Sequence, residues 1–173
     1  MLTVLAEIKS KGSATRLVVP SQRTLNNGEE ATLDSTHNHV KKLIGARLES
    51  FKRLDYDWDM RFEGGSSLMF QSLWRLVSEA SIEVTSEDDG QQFGLPAPVN
   101  AAEKLKAKIG GERISDVCVD DATSDLTFHF GSSLRLEVIS TSSGYEAWSL
   151  HVKEVQIIGR NGDRVISSPP KST

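Results

Sequence analysis

Leu54-Asp55-Tyr56-Asp57-Trp58-Asp59-Met60-Arg61-Phe62-Glu63 alternates without a break. Every even position is apolar or aromatic, and every odd position is charged. Successive side chains on a strand point to opposite faces. The pattern therefore predicts a strand over 54–63 that buries Tyr56, Trp58, Met60 and Phe62 and turns the carboxylates outward. A one-residue slip would expose the whole aromatic set, so the register is strongly specified. Gly64-Gly65-Ser66-Ser67 reads as a turn. Leu68, Phe70, Trp74 and Leu76 keep the same parity through Ser72, which predicts a second strand antiparallel to the first. Ile82 and Val84 mark a third, ending in Ser86-Glu87-Asp88-Asp89-Gly90.

Further along, Phe93-Gly94-Leu95-Pro96-Ala97-Pro98 excludes regular structure by its two prolines and glycine. Asn100 is a good N-cap with Glu103 three residues on, Ala102, Leu105 and Ile109 form an apolar stripe, and Gly110-Gly111 is a stop. This predicts one main helix over about 98–109. Strands then resume at Ile114 to Val119, at Leu126, Phe128 and Phe130, at Leu134, Leu136 and Val138, and at Trp148, Leu150 and Val152. Val155 to Ile158 and Arg164 to Ile166 flank Asn161-Gly162, a hairpin signal. The expected fold class is α+β, with antiparallel β-meanders and one main helix.

Before the first strand, Val40 to Gly45 reads as one helical turn. Residues 1–38 contain no Trp, Phe or Tyr. Leu17-Val18-Val19 and Glu30-Ala31-Thr32-Leu33 are short strand candidates around Asn27-Gly28, and 34–39 reads as linker. With so little apolar surface this segment is expected to be flexible, or to dock loosely as a hairpin. The expected organisation is an N-terminal segment 1–38, a single domain 39–167 and a tail 168–173.

The halves of that domain resemble each other. Ile44-Gly45 matches Ile109-Gly110, Asp59-Met60 matches Asp125-Leu126, and Phe62 matches Phe128. Gly65-Ser66-Ser67-Leu68 matches Gly131-Ser132-Ser133-Leu134. Hairpins reuse turn chemistry, but these matches in a shared register favour internal duplication.

Composition excludes collagen-like, disulfide-framework and wholly disordered chains: 38% of the residues are hydrophobic and 25% are charged. Cys118 is the single cysteine, which fits a reducing compartment. No run approaches the roughly 20 apolar residues of a membrane helix. Met1 to Glu7 lacks a basic n-region, so a cytoplasmic location without membrane partners is expected. Residues 1–53 carry a net +4 and residues 54–173 a net −8. An acidic body repels phosphate backbones and attracts basic surfaces, so no nucleic acid is expected and a basic protein partner fits.

The stretch from about Leu43 to Leu150 resembles uncharacterised small bacterial proteins, some of them similar to immunity proteins of polymorphic toxin systems. The residues carrying this are Ile44-Gly45, Trp58-Asp59, Phe62, Trp74-Arg75-Leu76, the run from Asp89 to Pro96 and the run from Ser142 to Trp148. They lie within about three-fifths of the chain. The resemblance implies a compact bacterial binding protein and carries no catalytic motif.

Asp55, Asp57 and Asp59 invite a calcium reading, but Met60 stands where a calcium loop needs glycine and Ser66 where it needs glutamate. On a strand, three such carboxylates lie on one face about 7 Å apart, a spacing that suits a row of cations on a partner. His37, His39 and Cys118 lack zinc spacing, so no metal or cofactor is expected. His129 faces outward but has no nucleophile in a recognisable frame, and Cys118 reads as a small core or strand residue. Gln91, Gln92 and Phe93 on one loop and Tyr145 on another combine aromatics with adaptable polar groups, as binding hot spots do; Phe93 and Trp148 could equally plug the core. The expected function is a non-enzymatic protein-binding domain, immunity-type if the resemblance holds, acting on a basic partner through Asp55, Asp57, Asp59, Gln91, Gln92, Phe93 and Tyr145. The alternative is a small-ligand protein or enzyme with a pocket between the two meanders, where His129 or Arg75 meets carboxylates. Oligomeric state is not legible.

Overall fold

The computed structural model describes residues 35–79, 81–161 and 163–167. The strand candidates at 17–19 and 30–33 and the tail 168–173 lie outside the described residues. Within them the fold is α+β, and the strands form two antiparallel sheets. The first has the order β1 (Leu48–Leu54), β2 (Asp57–Phe62), β3 (Ser66–Phe70), β9 (Trp148–Val152), β10 (Val155–Arg160) and β11 (Asp163–Ser167). The second has the order β5 (Ile82–Thr85), β4 (Leu73–Val77), β8 (Leu134–Ile139), β7 (Leu126–Phe130) and β6 (Ile114–Val119).

The inward residues of the two sheets meet in one core. Phe62 stacks on Phe128 across the gap with ring centroids 5.8 Å apart. Trp74 meets Trp58 edge to face at 5.1 Å, and Phe51 in the same way. Such pairs contribute about 0.5–1.5 kcal/mol beyond the apolar area they bury. The helix Ala101–Ile109 lies against β1 and β5 and buries Ala101, Ala102, Leu105 and Ile109. Asn100 Oδ1 accepts from the Glu103 backbone N–H at 3.0 Å, as an N-cap should. The Glu103 carboxylate, however, pairs with Lys106 and does not complete a capping box. At the far end Gly110 adopts the left-handed conformation that ends the helix. Lys108 ties the helix to β5 through Glu83 at 2.6 Å.

Duplication is visible in the ladders. Leu48 pairs with Phe62, a bulge follows, and Phe51 pairs with Met60. Ile114 pairs with Phe130, a bulge follows at the same place, and Val117 pairs with Phe128. Arg47 bridges Arg113, its own equivalent, so the pseudo-twofold axis passes between them. Arg47 Nε donates to Gly111 O at 2.9 Å and Arg113 Nη1 to Gly45 O at 2.5 Å. Both glycines have φ above +80°, a conformation other residues adopt only under strain. Each half sends its last strands into the other half's sheet: β4 pairs with β8, and β9 with β3.

Several expectations are corrected. The alternating stretch 54–63 is not one strand. Asp55 and Tyr56 form the turn between β1 and β2, and Tyr56 and Leu54 are exposed, while Trp58, Met60 and Phe62 are buried. Leu68 to Leu76 is two strands in different sheets. The chain crosses at Ser72, whose buried hydroxyl donates to Ala147 O at 2.9 Å. Residues 35–40 are helical rather than linker, with Thr36 fully buried, and a 3-10 turn Lys41–Leu43 follows. Pairing Phe62 with Phe128 puts the repeat two residues out of step, because the ladders equate Phe62 with Phe130. The cause is turn length: β1 and β2 are joined by Asp55 and Tyr56 alone, whereas Asp120 N donates to Asp125 O around residues 121–124.

Candidate functional site

The β1–β2 turn, the crossing from β3 to β4, the loop after β5 and the turn before β9 gather at one end of the sheets. Arg53 organises this end. Its guanidinium lies 5.4 Å from the Trp58 ring centroid, its Nη1 is 3.2 Å from Asp89 Oδ2, and its Nε donates to Asp55 O. Asp89 Oδ1 in turn accepts from the Ala101 backbone N–H at 3.0 Å, joining the hairpin to the start of the helix. Thr85 and Asp88 cap the 3-10 turn Ser86–Asp88 reciprocally. Gly90 N donates to Val99 O and Val99 N to Gln91 O, which pins the neck of the loop at Gln91. Ser142 Oγ accepts from Tyr145 N at 3.0 Å and shapes the other turn.

Two adjoining depressions result. One, of about 370 Å³, is lined by Asp57, Met69, Gln71, Tyr145 and Glu146 among others. The other, of about 290 Å³, is lined by Arg53, Tyr56, Trp58, Gln71, Glu87 and Gln91 among others. Gln71 is common to both. Tyr56 is 82% exposed and Tyr145 81% exposed. Among the described residues, Asp55, Asp57, Glu87 and Glu146 take part in no ion pair, and Arg53 is already engaged by Asp89.

The structure thus brings together Asp57, Gln91 and Tyr145, with Asp55 on the adjoining turn at φ 52°. Gln92 and Phe93 continue along the exposed loop, and Phe93 is fully exposed rather than a plug. Trp148 does plug the core, its Nε1 donating to Ser124 O at 2.6 Å. Asp59 does not belong to an open acidic row, because it is only 1% exposed. Lys52 sits directly opposite it on β1 at 4.0 Å, Arg61 Nε is 3.0 Å away, and Met69 flanks it on β3. Sequence reasoning missed Tyr56, Gln71, Glu87 and Glu146. Only the Asp-Tyr-Asp run around the turn and the Tyr145-Glu146 pair carried a signal for them.

His129 lies on the outer face of the second sheet, in a depression of about 350 Å³ shared with Glu79, Asp116, Ser133 and Arg135 among others. Asp116 and Arg135 there are already paired, with Lys41 and Glu137. Lys41 bonds Asp116 and holds its carboxyl below the usual range. Burial pushes the Glu137 carboxyl upward, but Arg135 at 2.6 Å and Arg75 at 2.5 Å outweigh it and lower the pKa. Of the two readings for Cys118 the strand residue holds: it is exposed on β6, and the partial desolvation of its sulfur, followed by the charge of Asp116, raises its pKa, away from a reactive thiolate. Among the described residues no three His, Cys, Asp or Glu side chains converge as metal ligands, and no helix is long and apolar enough to cross a membrane. The chain matches no family model, no curated protein and no solved structure.

Proposed function

We propose that this chain is a non-enzymatic protein-binding domain that neutralises a basic partner by occlusion, in the manner of a bacterial immunity protein. The observation carrying this reading is the coincidence, at one end, of two exposed tyrosines with four carboxylates lacking a cationic partner among the described residues. Exposed ion pairs contribute only about 0.2–1 kcal/mol each. The carboxylates therefore steer the encounter and select the sign of the partner, while desolvated aromatic anchors supply most of the affinity. A pocket between the meanders draws less support, because the aromatic core fills that space.

The test is capture from the native cell with two baits, the unaltered chain and one carrying Asp55→Asn, Tyr56→Ala, Asp57→Asn and Tyr145→Ala. A basic protein retained by the first bait and lost from the second supports the reading. Equal retention by both removes this end from the interface.

A further inference from the structure

The pseudo-twofold leaves one strand of the first sheet without a counterpart. Trp74 on β4 pairs with Val138 and Trp148 on β9 with Phe70, and Val138 and Phe70 are themselves equivalent. Gly159 faces Trp148, and Ser86 meets Trp74 at the end of β4, so β5 is the equivalent of β10. Beyond β10 the first sheet continues into β11, whose Ile166 packs against the core. Among the described residues no strand stands in that place beside β5, which ends the second sheet. The helix Ala101–Ile109 lies against both β1 and β5, but among the described residues its backbone bonds to neither. Ile82 on this open edge is 55% exposed. An unpaired edge strand is a template for one more strand.

We infer that the chain's own residues 16–19 fill this position, antiparallel to β5 as β11 is to β10. Arg16-Leu17-Val18-Val19 repeats the order of Arg164-Val165-Ile166-Ser167 in β11, an arginine and then two apolar residues, with a proline within two residues of each run. β11 sets Val165 opposite Ile158, Ile166 opposite Ile157 and Ser167 opposite Gln156. The same register at β5 sets Leu17 opposite Thr85, Val18 opposite Val84 and Val19 beside Ile82. Where β10 and β11 match two polar residues, Gln156 and Ser167, this edge and this segment match two apolar ones, the pairing that stabilises neighbouring strands. Reach decides between the two strand candidates before the domain. Residues 35–40 lead into Lys41–Leu43, and Lys41 bonds Asp116 on β6, at the opposite edge of the same sheet. Four strand spacings separate β6 from β5, about 19 Å. The stretch from Val19 to Ser35 can span up to about 55 Å, whereas Leu33 stands only two residues from Ser35, a reach of about 7 Å. Residues 30–33 therefore cannot serve. Nothing in this placement depends on the acidic end.

The test uses the full-length chain. In a Cys118→Ser background, Leu17→Cys is combined with Thr85→Cys and oxidised in dilute solution, with Glu30→Cys plus Thr85→Cys as the control. The inference predicts a disulfide within one chain for the first pair and none for the control. A covalent dimer would give the edge to a second copy and overturn the inference. No disulfide in the first pair, or equal cross-linking of the control, also overturns it. A second measurement leaves Thr85 intact. Hydrogen exchange of the Ile82–Thr85 amides is compared between the parent and Val18→Pro, which removes a donor from the added strand. At least one of these amides should exchange about ten-fold faster in the variant, while the amides of β7 keep their rates. Identical exchange at Ile82–Thr85 in the two proteins would show that the edge is not covered by this segment and overturn the inference.

Discussion

Gly159→Ala places a methyl group where the Trp148 ring lies. A Cβ at Gly159 would stand 2.1 Å from Cε2, 2.3 Å from Cζ2 and 2.6 Å from Nε1 of that ring. Real Cβ contacts never come so close, and the ring has nowhere to retreat, because Trp148 is buried and anchored to Ser124 O. Relief requires β10 to shift away or the ring to leave. Overpacking of a core costs about 1–3 kcal/mol. Losing the indole hydrogen bond adds about 0.5–1.5 kcal/mol. Alanine's advantage over glycine in the unfolded chain returns at most about 1 kcal/mol. The expected loss is roughly 2 kcal/mol, equivalent to a fall in Tm of roughly 6 °C for a domain of this size. Thermal unfolding followed by circular dichroism measures it, and the near-ultraviolet spectrum reports the displaced indole. Ser86→Ala at the equivalent position is the control. It removes only the acceptor for Trp74 N at 3.3 Å and should cost about 1 kcal/mol. A Gly159→Ala protein within 0.5 °C of the parent would refute the packing argument.

Asp59→Asn should lower stability by about 1 kcal/mol in chemical denaturation and leave the rate of association with a basic partner unchanged, since Lys52 and Arg61 already neutralise this buried carboxylate. A slowed association would return Asp59 to the interface. Glu83 is lowered from 4.5 to about 2, chiefly by its bond to Lys108 and then by Ser78 and Ser81. A carboxylate whose folded pKa is depressed contributes stability that is complete above its unfolded pKa and fades as the pH falls through the folded one. The Lys108–Glu83 tie should therefore hold the helix at neutral pH and weaken between about pH 4.5 and pH 2. Glu83→Gln should flatten that part of the acid-unfolding profile, and an unaltered profile would show that the tie contributes nothing.

Periodicity revealed which faces are buried but not where strands begin and end. Trp58, Met60 and Phe62 were legible because they alternate within one strand. Tyr56 shares their parity because a two-residue turn keeps the alternation in phase, so a hairpin looked like one strand. Strand β1 was invisible because a bulge after Leu48 puts Leu48 and Phe51, both facing inward, three residues apart. Once β1 is missed, so is Lys52, and with it the reason Asp59 is covered. Phe70 and Trp74 keep parity across a change of sheet because Ser72, between them, is also buried, and alternation carries no information about which ladder a strand joins. At the candidate site, Asp57 and Tyr145 were legible from residue type. Tyr56, Gln71, Glu87 and Glu146 required the crossing that sets four separate turns side by side.

The central claim is that the acidic, tyrosine-bearing end meets a basic partner. The most direct measurement is the association rate with the captured partner at low and at high salt, for the parent chain and for Asp55→Asn combined with Asp57→Asn. Exposed charges act over roughly a Debye length, about 30 Å at 0.01 M and 3 Å at 1 M ionic strength. Removing two of them should slow association several-fold at low salt and leave it unchanged at high salt. An association rate at low salt that is the same for both proteins would contradict the claim.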